Sequence, residues 1–194
     1  ATLSAWARQG SASAARSIYA GFVSLGPPAW QAEPIAHQTH WPLTTIVAVT
    51  SETAKSVNST AGMESSRQTS PYYDSWVAGS QADYEAALDA IQGRDFELLT
   101  HIAELSCLKM HGVMLTTTPT LAYWNPATIA CMNTVRQLRS AGVAVFFTID
   151  AGPQLKAICL PEYAHRVDAA LSSIPGVKHT IECGLGDGAQ VLPV

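Results

Sequence analysis

The run from Val143 to Ile149, Val-Ala-Val-Phe-Phe-Thr-Ile, most restricts what this chain can fold into. It is apolar, and it ends on one carboxylate, Asp150, followed by Ala-Gly-Pro. Such a run reads as a buried strand that delivers an acid to a tight turn. Many enzymes position a base as a scaffold-held carboxylate at a strand end. The plainer alternative is an aspartate that caps the turn before Gly-Pro.

The surrounding pattern supplies layers for that strand. Leu43 to Thr50 is β-branched and apolar and predicts a central strand. Tyr84, Leu88 and Ile91 share one helical face, and Asp95 is placed to cap a following helix with Leu98, Ile102 and Leu105 inward. Asn125-Pro126 is an N-cap followed by proline at the first helical position. Ile129, Met132, Val135 and Leu138 face inward from that helix. A strand is expected over 154–160, a helix from Pro161 with Tyr163, Val167 and Leu171 inward, and a strand over 177–183. Val191-Leu192 is expected to pair as a short edge strand. The sum is an α+β chain, an antiparallel sheet with helices on one face.

Upstream, Ala15, Tyr19 and Phe22 recur at helical spacing and predict a helix over 12–24, capped by Ser11 or Ser13. Gly26-Pro27-Pro28 breaks the chain, so 26–36 reads as a linker. Residues 51–71 are rich in Ser, Thr, Gly and Asn and read as a long polar loop, and a short helix is expected over 71–78.

The bulk numbers exclude several classes. Apolar residues are 47% of the 194 and charged residues 13%, which rules out a disordered chain. Net charge is −4, and no Lys/Arg cluster is present, which argues against nucleic acid as a partner. No apolar run reaches bilayer-spanning length. Cys107, Cys131, Cys159 and Cys183 form no CxxC pair and sit in apolar segments, so they read as reduced core thiols of a cytoplasmic protein. His37-x-x-His40 lacks a partnering Cys or carboxylate cluster, so no protein metal site is expected. Gly184-x-Gly186-x-Gly188 is not a dinucleotide fingerprint, because it follows rather than opens a helix pattern.

The second segment of interest is Gln9-Gly10-Ser11-Ala12-Ser13-Ala14-Ala15-Arg16-Ser17. Serine hydroxyls and free N–H groups at a helix start can hold an anion, and Arg16 can clamp a carboxylate or phosphate. The plainer reading is ordinary capping by Ser11 or Ser13, with Arg16 solvated.

With the Phe147-Thr-Ile-Asp-Ala-Gly-Pro153 stretch, this segment resembles the diphosphomevalonate decarboxylases. Their hallmarks are a Gly-Ser-x-Ser-Ala-x-Arg-Ser segment and a Phe-Thr-x-Asp-Ala-Gly-Pro segment. Asn58-Ser59-Thr60-Ala61-Gly62-Met63 is similar to the family's Ser-Ser/Thr-x-Gly-Met stretch, and Lys109-Met110-His111 to its Met-His-Ala stretch. The chain departs from the pattern at Ala12, where Gly is usual, at Ala15, where Cys or Ser is frequent, and at Gln154, where Asn is usual.

The resemblance implies a GHMP kinase C-terminal domain over 37–194, with 1–36 a remnant of the N-terminal domain and linker. It implies Asp150 as catalytic base at the C3 hydroxyl and Arg16 as a second catalytic group, on the substrate carboxylate. Ser11 and Ser13 would lie near the diphosphate, and Ser59 would order the triphosphate of ATP. His111 is expected to be structural. The implied reaction is ATP- and Mg²⁺-dependent decarboxylation of (R)-5-diphosphomevalonate to isopentenyl diphosphate, in isoprenoid and sterol biosynthesis. Family members are longer, and their lysine-containing start and Pro-x-x-x-Gly-Leu-x-Ser-Ser loop are not among these residues. The chain is therefore expected to be a fragment, inactive without an N-terminal half, and a homodimer is possible because many relatives dimerise. Two alternatives remain: a 3-kinase that does not decarboxylate, against which Asp150 argues, and a non-catalytic interaction domain.

Overall fold

The computed structural model describes residues 2–26, 30–54 and 57–191, which divide into two compact units. One comprises the chain up to Leu43 together with the tail from Gly184, and the other runs from Thr44 to Cys183. The observed division thus falls seven residues beyond the expected boundary at 36/37, and the tail belongs with the first unit.

The larger unit is built on a four-stranded antiparallel sheet. Its strands are β3 (Thr44–Val49), β4 (Val145–Thr148), β5 (Leu155–Cys159) and β6 (His179–Cys183), in the order β4-β5-β3-β6. Ile46 sits opposite Ala157 on one side and Glu182 on the other, and Phe147 also faces Ala157. Side chains alternate across a strand, so Ile46, Ala48, Val145, Phe147, Leu155, Ala157 and Cys159 share one face. All seven are buried in one core.

Helices cover that face. They are α5 (Phe96–Leu115), α6 (Pro126–Ser140) and α7 (Ala164–Ser172), which contribute Cys107, then Cys131, Met132 and Val135, then Val167 and Leu171 to the core. The α+β layer design read from the pattern is the one observed. Asp95 caps α5 through the Leu98 amide, and Asn125 caps α6 in a reciprocal box with Thr128.

Several local expectations are overturned. The polar stretch 51–71 is not all loop: Ser59–Thr69 is a helix, α3, capped by the Asn58 side chain on the Ala61 amide. The short helix expected over 71–78 is the start of a 21-residue helix, α4 (Tyr73–Gly93). On α5 the expected inward set is only half-buried, and the buried positions include Leu99, Cys107, His111 and Met114. Ile129 faces out from α6. Cys183 is exposed on the edge strand β6 rather than in the core, while the other three cysteines are buried, and all four are free. Val191 forms no strand, and Leu192 lies outside the described residues.

The smaller unit differs most from expectation. Its elements are α1 (Thr2–Arg8), α2 (Ala12–Arg16), β1 (Phe22–Gly26) and β2 (Gln31–Ala36), with β1 and β2 paired antiparallel. The helix predicted over 12–24 stops at Arg16. Gly21 adopts φ +67 there, and a side chain at that position would come within 2.5 Å of the Ala36 carbonyl oxygen. The chain turns back at Gly21 because only glycine fits. Phe22 and Val23 then suit a strand better than a helix. The presumed linker is therefore half of a hairpin, and Pro34 is tolerated in it because the sheet has only two strands. One buried hydroxyl binds the unit: Ser4 donates to the Ala15 carbonyl and accepts the Ala32 amide, both at 3.1 Å.

Candidate active site

Asp150 stands two residues past the end of β4, and everything beneath it is tied down. Ile149 is buried, its amide donates to the Cys107 sulfur at 3.2 Å, and the Cys107 thiol donates back to the Ile149 carbonyl at 3.4 Å. Burial pushes the Cys107 thiol above its ordinary pKa, so the proton needed for that donation stays in place. His111 Nε2 lies 3.1 Å from the same carbonyl and 3.3 Å from the Trp124 indole nitrogen. As the Nε2–H tautomer it donates to Ile149, and as the other it accepts from Trp124. Burial holds His111 below the usual histidine range, so the ring is neutral at pH 7. His111 is thus a structural support one residue away from the carboxylate.

Gln154 resolves the departure at its position. Its Oε1 accepts the Thr50 amide at 2.6 Å, and its Nε2 donates to the Ser51 carbonyl. Pro153 O accepts from the Thr50 hydroxyl at 3.0 Å and from the Thr128 hydroxyl at 2.7 Å. Gly152 N–H closes the turn on the Asp150 carbonyl at 2.6 Å. The end of β3 and the cap of α6 therefore clamp the turn from two sides. The Asp150 carboxylate itself is exposed and ion-paired with Lys156 of β5. Asp150 and Lys156 border a cavity of about 640 Å³, together with Trp76, Asp83, Cys107 and Thr148.

Ser59 is the first residue of α3, exposed, and outside that cavity. Among the described residues no cluster of three or more His, Cys, Asp or Glu could hold a metal ion. His37 Nδ1 instead contacts the Thr39 hydroxyl at 3.0 Å.

In the smaller unit the Ser11 hydroxyl caps α2, accepting the Ala14 amide at 3.0 Å, and lies 3.0 Å from the Ser13 hydroxyl. The plain capping role is thus the one Ser11 performs. Ser13 and Arg16 border a common cavity of about 510 Å³ with Ser17 and Tyr19. Its other wall is the glycine-rich tail at Gly186, Asp187 and Gly188, whose spacing matches no nucleotide fingerprint. The signal was the alternate glycines themselves, read only against a dinucleotide fingerprint.

A family model described as the mevalonate 5-diphosphate decarboxylase C-terminal domain matches residues 45–188. The chain belongs to that family. Relatives in this decarboxylase family include the diphosphomevalonate decarboxylase of Aspergillus fumigatus, 32% identical over 90% of this chain and 46% of its own length. The human diphosphomevalonate decarboxylase is 31% identical over 87% of this chain and 45% of its own length. A solved structure described as MDDEF in complex with MVAPP, AMPPCP and magnesium superposes with a TM-score of 0.87 at 31% identity. It is matched over 96% of this chain and 59% of that one. The chain spans about half the length of the curated decarboxylases it matches.

Proposed function

We propose that this chain carries the acid-bearing domain of an ATP-dependent diphosphomevalonate decarboxylase. The observation that supports it is the Asp150 carboxylate, presented to a cavity from a turn immobilised by Cys107, His111, Thr128 and Gln154. A general base must be fixed within hydrogen-bond reach of the proton it takes. Here the backbone is fixed and only the carboxylate is exposed.

Asp150 would accept the proton of the substrate's C3 hydroxyl. Arg16, whose cavity is also bordered by Ser13, Ser17 and Tyr19, would pair with the substrate carboxylate, and Ser11 and Ser13 would lie near the diphosphate. ATP supplies the phosphoryl group that turns the C3 oxygen into a leaving group, after which loss of the carboxylate as CO2 forms the alkene. Ser59 fits a contact to the nucleotide triphosphate, being exposed in the first turn of an 11-residue helix. Without an acidic cluster among the described residues, Mg²⁺ fits as an ion carried on the nucleotide phosphates, its usual mode. With this reading come an upstream N-terminal half bearing the phosphate loop, a cytoplasmic place in isoprenoid and sterol biosynthesis, and a homodimer. No described helix is long and apolar enough to cross a membrane.

The test is release of labelled CO2 from 1-carboxyl-labelled diphosphomevalonate by the chain supplied with an upstream half. The expected result is ATP-dependent release that Asp150→Asn lowers by ~10²–10⁴-fold, the usual loss on removing a general base. Unimpaired release from the Asp150→Asn chain would overturn the assignment.

A further inference from the structure

The tail from Gly184 to Val191 has neither helix nor strand, yet it is fastened at three points. The Gly21 amide donates to the Gly186 carbonyl at 3.0 Å, and the Ala189 amide donates to the Ile18 carbonyl at 3.3 Å. Between them, Gln38 Nε2 donates to the Asp187 carboxylate at 2.6 Å. Gln38 Oε1 is buried without a partner among the described residues, so the side chain makes this tie at the cost of its other end.

Gly188 lets the tail lie flat. It adopts φ +79, and a Cβ there would come within 2.9 Å of the Ala20 nitrogen and the Tyr19 carbonyl carbon. These are backbone atoms that cannot swing away. The residues so closely approached, Ile18 to Ala20, begin two positions after Arg16. The strap therefore fixes the segment that follows α2, and it lines the same cavity as Arg16.

We infer that Gly184–Val191 is a strap that walls the Arg16 cavity, and that Gln38, Asp187 and Gly188 are positioning residues for anion binding there. The ligand class follows from the lining: Arg16 beside Ser13, Ser17 and Tyr19 suits an anion that carries carboxylate or phosphate oxygens, for which pyrophosphate is the probe. Asp187 serves as the latch rather than as a ligand, because its carboxylate is engaged by Gln38. The inference rests on the proposed function only for the identity of the natural ligand.

Inorganic pyrophosphate titrated into the 194-residue chain is the probe, followed by amide NMR shifts and by hydrogen exchange at Gly21 and Ala189. In the unsubstituted chain the amides of Ser13, Arg16 and Gly188 should respond together. Gly188→Val and Asp187→Ala should each speed Gly21 exchange and weaken pyrophosphate about fivefold to tenfold, the size of one ordinary hydrogen bond lost. Asp187→Asn, which still offers Gln38 an acceptor, should keep both readouts. If Gly188→Val fails to fold, Gln38→Ala tests the same latch from the other side.

Faster Gly21 exchange with unchanged pyrophosphate affinity would overturn the strap as part of the site, as would a chain that takes no pyrophosphate. Repeating the titration with diphosphomevalonate separates the two readings. Binding no tighter than pyrophosphate would count against the proposed substrate and leave the strap standing, whereas strap variants that bind diphosphomevalonate normally would do the reverse.

Discussion

The two units hold their key side chains by opposite means. Around Asp150 the supports are core side chains that reach the backbone of one turn, with Gln154 of the turn reaching back to the Thr50 amide. Around Arg16 there is a five-residue helix, a two-stranded ribbon and a strap, joined through main-chain bonds and a few polar side chains. The first arrangement draws on apolar burial, which is large and tolerant of detail. The second depends on glycines and single hydroxyls, where one wrong atom removes the tie.

That contrast sets an order of expected effects. Phe147→Ala removes a fully buried ring that edge strand β4 sends into the core and should destabilise the larger unit by about 3–5 kcal/mol, measured by urea unfolding. Exchange at the Ala32 amide should be little altered by it. If that amide loses protection as strongly as the sheet does, the two units are one cooperative structure and the comparison fails. Ser4→Ala strips one hydroxyl from the smaller unit and leaves the Ala15 carbonyl and Ala32 amide buried without it. That should cost about 1–3 kcal/mol, visible as faster exchange at Ala32 while β3 and β5 keep their protection.

The smallest effect expected is the pH dependence set by His111. Its folded pKa lies below the ordinary value of about 6.5, so below that pH the unfolded chain binds a proton the folded chain refuses. Its contribution is therefore full above about pH 6.5 and is lost as pH falls through the folded pKa. The urea midpoint should drop on acidification from pH 7.5 to 5, and His111→Gln should flatten that drop. An unchanged slope in the variant would place the acid sensitivity elsewhere.

Legibility in sequence follows the same division. β3, β4 and β5, and the helices capped by Asp95 and Asn125, announce themselves because apolar periodicity and caps are local signals. Asp150 and its turn were legible for the same reason. The β1–β2 ribbon was not, since Ala15, Tyr19 and Phe22 happen to fall at helical spacing while the deciding contact, Gly21 against Ala36, spans fifteen residues. The helix at Ser59–Thr69 was hidden by residues that usually favour turns, with Asn58 as its one positive signal. The supports beneath Asp150 come from Cys107 and His111, some forty residues upstream, and no spacing rule connects them to Ile149.

The sulfur contact beneath Ile149 also gives the molecule a clock of its own. Cys183 is open to solvent, whereas Cys107 is buried with its sulfur bonded to the Ile149 amide and carbonyl. An alkylating reagent will therefore mark Cys183 at once, and the buried Cys107, Cys131 and Cys159 only as often as their surroundings open. Read at Cys107 alone, the slow phase times the opening of the packing beneath Asp150, with no ligand and no turnover needed.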